Sequence, residues 1–341
     1  MGFTRCLYDQ YLFYRQQGSY VLLLLIYVDD ILLTGSSPSQ ISAFITHLSS
    51  VFRMKDLGDV HYFLGLQITR TDTALTITQT RYLLSLLHKF GLAGAKPVAT
   101  PIASGTNLSA TNGTLLSDPM PFRQLMGSLQ YLTLTRPDIS YVVHHVCQYM
   151  HAPREPHLIA VKRIFRYLKG TLDIGLHFVP MPLTTLHGFY DADWAGCKDD
   201  RRSTSGFAIY MGANLLSWGA KKQATVSRST AEAEYRALAA TTAELMWFMN
   251  LLKSIGYCLP PPKLYYDNIS AITMAKNPVF HHRTKHIEID VHFVRERVAS
   301  GALLLEHVAG IAQLADILTK PLCSDKFVLN RDKLLIGSQP S

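Results

Sequence analysis

An apolar run that ends in two adjacent carboxylates is the first place where this sequence carries chemistry. In YVLLLLIYVDDILLTG, Tyr20 to Gly35, Asp29 and Asp30 follow directly on the apolar residues. Burying a bare carboxylate costs several kcal/mol, so a cationic partner is expected beside them. A second concentration of donor side chains is HHRTKHIEIDVH, where His282 and His286 are spaced i,i+4. That spacing binds zinc when both imidazoles lie on one helix, but no third ligand stands at a plausible spacing. A basic loop near phosphates explains His281, His282, Arg283 and Lys285 as well. The five cysteines, Cys6, Cys147, Cys197, Cys258 and Cys323, form no CxxC or other ligand pair. Free thiols in a reducing compartment are therefore expected, with neither a zinc site nor a disulfide framework.

The elements that must position these groups follow from periodicity. Tyr8 to Tyr14 and Tyr20 to Tyr27 read as strands joined around Gly18 and Ser19, and ILLTG resumes as a third, which puts Asp29 and Asp30 in a hairpin turn. Ser39 to Phe52 reads as a helix, YFLGLQITRT and ALTITQT as a hairpin, and Gln79 to Phe90 as another helix. Lys96 to Pro121 is rich in Pro, Gly, Ser and Thr and reads as a linker or long loop. Helices are expected from Phe122 to Leu134, from Asp138 after Pro137 to Met150, and from Glu155 to Lys169 before Gly170. A new unit opens near Leu186 with three strands, His187 to Asp191, Gly206 to Met211 and Asn214 to Trp218. A long helix (Thr230 to Lys253), a strand (Lys263 to Asp267), two helices, a strand (Ala302 to Val308) and a helix from Gln313 follow. A strand meander followed by alternating helix and strand predicts a mixed sheet with helices packed on it, in an α+β chain.

Composition agrees with a folded protein that meets a polyanion. The 341 residues are 48% hydrophobic and 17% charged, enough for a sizeable core and two domains. An excess of 33 Lys+Arg over 25 Asp+Glu gives a formal charge of +8, which suits a nucleic acid without proving one. The apolar run Val21 to Val28 is far too short for a membrane span, which needs about 20 residues. MGFTRC has Cys6 where a myristoylation signal requires Ser or Thr, and no secretory pattern follows. An intracellular location, cytoplasmic or nuclear, with no membrane association is expected.

Eight blocks of the chain resemble, in order, those of a copia-type LTR retrotransposon Pol polyprotein. They are YVDDILLTG, FRMKDLGDVHYFLGLQI, GSLQYLTLTRPDISYVV, AVKRIFRYLKGT, DADWAGCKDDRRSTSGF, STAEAEYRALA, RTKHIEIDVHFVRE and QLADILTKPL. The resemblance implies the back half of a reverse transcriptase followed by a ribonuclease H domain. It divides the chain into a partial palm (1–95), a linker with a helical thumb or connection segment (96–184), a ribonuclease H-like five-stranded unit (185–323) and a tail (324–341). Asp29 and Asp30 match two of the three metal-binding aspartates of a polymerase. Residues 1–28 resemble the strands just before that block, and Asp9 is not expected to supply the third aspartate. Two of three carboxylates do not clamp a metal pair about 3.5 to 4 Å apart, so polymerase activity is not expected.

For the nuclease, the resemblance implies four acids that hold two Mg²⁺ ions, with Mn²⁺ able to substitute. Asp191 matches the first. Asp193 would share its strand face only if the strand continued, and the small-residue turn around Gly196 argues that it stops. Glu232 and Glu234 both offer themselves as the second. Glu234 starts the stripe Leu238, Leu245, Met249 and Leu252, whereas Glu232 is accounted for by a capping box from Ser229 and an i,i+4 pair with Arg236. On pattern alone Asp267 is a helix N-cap; the resemblance makes it the third ligand. Asp316 resembles the fourth. Its competitor Asp290 lies off the stripe Ile287, Val291, Val294 and Val298 and is expected to be solvated. His307 sits inside a strand, so the mobile histidine of some ribonucleases H has no clear counterpart.

Substrate grip is sought among cations. Lys162, Arg166 and Lys169 form a stripe opposite Val161, Ile164, Phe165 and Leu168, and Arg201, Arg202, Lys221, Lys222 and Arg228 flank the strand meander. The function that follows is hydrolysis of the RNA strand of RNA/DNA hybrids, with other Pol- or Gag-derived proteins as further partners. An inactive nucleic-acid-binding remnant is one alternative. A polymerase half that works only when completed by its missing portion is the other.

Overall fold

The computed structural model describes residues 2–18, 20–182, 184–268 and 287–336. Its chain begins with a four-stranded antiparallel meander: β1 (Thr4–Arg5), β2 (Leu12–Gln17), β3 (Tyr20–Tyr27) and β4 (Asp30–Gly35). Alternation along β3 turns Leu22 and Leu24 inward, and Leu24 packs on Phe44 and Leu48 of α1 (Pro38–Val51). The turn is formed by Val28 and Asp29, and Asp30 opens β4 opposite Tyr27. Both aspartates are exposed. The expected cationic partner is therefore not required, because water solvates these carboxylates.

A second sheet comprises β5 (Tyr62–Phe63), β6 (Leu66–Arg70), β7 (Leu75–Thr78) and the later β8 (Leu176–Phe178), with α2 (Thr80–Lys89) after β7. The stretch 96–119 is irregular but packed, since Ile102 and Leu108 are buried in the main core. Three helices follow: α3 (Met120–Leu132), α4 (Ser140–Cys147), entered through a 3-10 turn at Pro137–Ile139, and α5 (Glu155–Lys169). Their apolar faces meet around Met126, Leu129, Val146, Ile164 and Phe165. Behind them Arg136 and Asp138 form a buried ion pair at 2.7 Å, and Thr171 and Tyr167 add hydrogen bonds.

The remaining elements form the mixed sheet. Strands β9 (Leu186–Asp193), β10 (Thr204–Met211) and β11 (Asn214–Lys222) are an antiparallel meander; β12 (Lys263–Tyr266) and β13 (Leu304–His307) add in parallel. The spatial order is β11-β10-β9-β12-β13. Helix α6 (Thr230–Ser254) covers one face through Ala233, Tyr235, Leu238 and Leu245, joined by Val291 and Val294 of α7 (Glu288–Ala299). On the other face Phe189 and Tyr210 belong to the cluster that contains α3, α4 and α5. The α+β architecture with a five-stranded mixed sheet is as expected. The end differs: no α-helix starts at Gln313. A 3-10 turn, Leu314–Leu318, stops before Pro321, which lacks the N–H to continue it, and α8 (Ser324–Ile336) begins afresh.

Candidate active site

Strand β9 delivers Asp191, which is buried and level with Gly206 on β10. Thr319 donates its hydroxyl to Asp191 Oδ2. The strand continues through Asp193, contrary to the expected stop at Asp191, so both aspartates share a face. Asp193 is held locally, accepting the Thr204 backbone N–H. Burial, with Asp191 adding its charge, pushes its carboxyl up to about 6.

Glu234 arrives from the opposite face, on α6. Asn268 Nδ2 donates to its Oε1 at 2.8 Å. Burial raises its carboxyl to about 7, and Asp191 and Asp267 reinforce the rise against Asn268 and Lys320. Glu232 is also buried but serves the helix start. Its N–H donates to Ser229 Oγ, its Oε2 accepts from the Arg228 N–H, and its Oε1 pairs with Arg236 at 2.9 Å.

Asp267 follows β12 and is half-buried. The fully buried Gln313 ties it to β9, donating to Tyr190 O at 3.0 Å and to Asp267 Oδ1 at 3.4 Å. The helix that Asp267 was expected to cap, and His281, His282, Arg283, Lys285 and His286, lie outside the described residues. Asp316 sits in the 3-10 turn and is buried. Lys326 Nζ contacts its Oδ2 at 2.6 Å. Its Oδ1 pairs with Lys320 Nζ at 2.7 Å. The same ammonium lies 3.1 Å from Asp191 Oδ2. Burial alone would lower the Lys320 pKa, but Asp191 and Asp316 outweigh it and hold the amine charged. Burial likewise pushes Asp191 up, while Lys320 and Thr319 draw it down.

Asp191 and Asp316 thus meet on one ammonium, and Asp191 and Asp267 both act on Glu234. Among the described residues, no three His, Cys, Asp or Glu side chains stand close enough to hold one ion. The donor set nevertheless fits Mg²⁺ or Mn²⁺ in kind, being made of hard carboxylate oxygens. Asp316 Oδ1 is a buried carboxylate oxygen paired with the Lys320 ammonium.

Asp290 is half-buried on α7 rather than fully solvated, and burial raises its carboxyl against the pull of Arg236. His307 closes β13 and is exposed. Asp9 is a turn residue whose Oδ1 accepts the Tyr11 N–H.

The expected cations divide. Arg166 donates to Lys96 O, and Lys169 to Ala93 O and Ala95 O. Arg202 and Lys222 pair with Asp200. Lys162, Arg201, Lys221 and Arg228 are exposed. Lys221 is level with Ala192 across β10, Arg201 lies in the β9–β10 connection, and Arg228 precedes the cap of α6, so these three share the acidic end of the sheet. Sequence reasoning missed Lys320, although its i,i+4 spacing from Asp316 was a readable signal. It also missed Thr319, Gln313 and Asn268, whose partners come from distant segments.

Residues 1–104 match the family model described as reverse transcriptase (RNA-dependent DNA polymerase). The chain is 48% identical over 328 residues to the retrovirus-related Pol polyprotein from transposon RE1 of Arabidopsis thaliana, covering 96% of this chain and 22% of that protein. The chain belongs to the copia-type retrotransposon Pol family. This Pol chain is also 51% identical over 224 residues to an uncharacterized mitochondrial protein of Arabidopsis thaliana, covering 66% of this chain and 93% of that one. A solved foamy viral protease-reverse transcriptase in complex with RNA/DNA hybrid matches at TM-score 0.46 and 13% identity, over 88% of this Pol chain and 37% of that structure. The chain thus spans about a fifth of the RE1 polyprotein it matches. No helix among the described residues is long and apolar enough to cross a membrane.

Proposed function

We propose that this Pol chain hydrolyses the RNA strand of RNA/DNA hybrids in a reaction that depends on Mg²⁺ or Mn²⁺. The observation that carries the reading is the gathering of Asp191 and Asp316 on one ammonium, with Gln313 tying Asp267 to the strand of Asp191 and Asn268, the residue after Asp267, bonded to Glu234. Asp191, Glu234, Asp267 and Asp316 would hold two ions, whose chemistry is activation of the attacking water and stabilisation of the leaving oxygen. Burial and the neighbouring Asp191 and Asp267 raise the Glu234 carboxyl, and a bound cation would relieve that crowding. Thr319 and Gln313 orient Asp191 and Asp267 through their hydrogen bonds. Arg201, Lys221 and Arg228 attract the phosphate backbone to the same end of the sheet.

The test is cleavage of a labelled RNA/DNA hybrid with Mg²⁺, with Mn²⁺ and with EDTA, beside single-stranded RNA and duplex DNA. Hybrid RNA is cut only with the metal ions, and the other two substrates stay intact. Equal cutting of single-stranded RNA, or no cutting of hybrid at several metal concentrations, defeats the proposal. A second reading, binding of hybrids without cleavage, draws on the lack of any three donors at ligating distance among the described residues. It predicts retention of hybrid in a mobility assay with no product at any metal concentration.

A further inference from the structure

Asp316 divides its two oxygens between two lysines with different freedom. Lys326, from the first turn of α8, contacts Oδ2 and touches no other acid of the site, whereas Lys320 faces Oδ1 and reaches across to Asp191. The Lys320 side chain keeps 40% of its surface in water while both carboxylates it bridges are buried. Its stem therefore has open space into which the ammonium can turn. A divalent ion and an ammonium cannot share the gap between Asp191 Oδ2 and Asp316 Oδ1, since each repels the other at contact distance.

Resting on the reading of these acids as a metal site, we propose that Lys320 is a tethered cation that competes with the metal. It neutralises Asp191 and Asp316 when no ion is bound and must swing out for a divalent ion to enter. The exchange lowers metal affinity below that of a bare carboxylate pair, because each entering ion displaces a favourable contact. In return, the metal-free chain avoids two buried, mutually repelling carboxylates.

The test measures Mn²⁺ binding by calorimetry, and thermal midpoints with and without Mn²⁺, on the full chain and on K320M, K320R and K326M. K320M binds Mn²⁺ roughly tenfold more tightly, and its metal-free midpoint falls below that of the parent and is restored by Mn²⁺. K320R keeps a cation on the site and binds as the parent does. K326M leaves the bridging ammonium in place and gains less than K320M. K320Q, which keeps a polar end, is the replacement if K320M does not fold. Saturable binding of equal strength in the parent and K320M overturns the competition alone and leaves the metal site standing. An equal gain in K326M also overturns it, by reducing the effect to net charge. If neither the parent nor any variant takes up Mn²⁺, the metal-site reading falls and takes this inference with it.

Discussion

Glu232 and Glu234 stand two residues apart at the start of α6, both buried, with carboxylates turned to opposite tasks. Glu232 closes the helix start through Arg228 and Arg236, while Glu234 meets Asn268 beside Asp191 and Asp267. Glu232→Ala removes a charge-assisted bond and part of the cap, so it should cost roughly 1 to 3 kcal/mol of stability and leave hybrid cleavage within a few-fold. Glu234→Gln relieves crowding among acids, so the metal-free thermal midpoint should hold or rise, while cleavage falls by orders of magnitude. Cleavage rate and midpoint of each single variant decide it. A dead Glu232→Ala beside an active Glu234→Gln would overturn the assignment.

The buried pair Arg136–Asp138 makes a separate prediction about the scaffold. Burial alone would raise the Asp138 carboxyl, but the Arg136 charge and hydrogen bonds from Arg136 and Tyr167 hold it below its ordinary value. A depressed folded pKa stabilises the fold above the unfolded carboxylate pKa, and that contribution is lost as pH falls through the folded value. Asp138→Asn strands a buried guanidinium and should cost about 3 to 5 kcal/mol at neutral pH. Its penalty relative to the parent should shrink as the solution is acidified. Thermal midpoints from neutral to strongly acid pH measure this, and a penalty that grows towards acid refutes it.

What the sequence made legible was whatever depends on local periodicity. Helix α5 begins and ends at Glu155 and Lys169 as predicted, because its apolar stripe and Gly170 are both local signals. The same stripe did not reveal that Arg166 and Lys169 bind carbonyls of residues 93–96, since that contact joins segments far apart in the chain. Asp316 could be singled out as a candidate, yet its 3-10 turn could not, because Pro321 permits either a short α-helix or a tighter turn before it. Asp29 and Asp30 were placed beside an apolar run whose burial does not extend to the hairpin tip. Composition along a strand says little about where its turn meets water.

That exposure sets the third prediction. Asp29→Asn with Asp30→Asn touches no buried contact, so stability should change by less than about 0.5 kcal/mol. Hybrid cleavage should stay within a few-fold of the parent, and this chain should extend no primer, before or after the change. Templated incorporation by the parent that the double variant abolishes would contradict this.

Charge removal separates cations that hold the fold from cations proposed to meet the hybrid. Arg166 and Lys169 satisfy carbonyls of the 93–96 segment, so Arg166→Ala and Lys169→Ala should lower the thermal midpoint and leave the salt dependence of hybrid binding unchanged. Arg201, Lys221 and Arg228 are exposed at the acidic end of the sheet. Replacing any one of them with Ala should leave the midpoint nearly fixed and weaken hybrid binding. Each phosphate contact releases counterions, so the slope of log affinity against log salt should become shallower by roughly one for each cation lost. Affinities across a salt series, taken in EDTA so that no strand is cut, measure the slopes directly. If the Arg166 and Lys169 variants change the slope and the other three do not, the hybrid lies along α5 instead of across the end of the sheet.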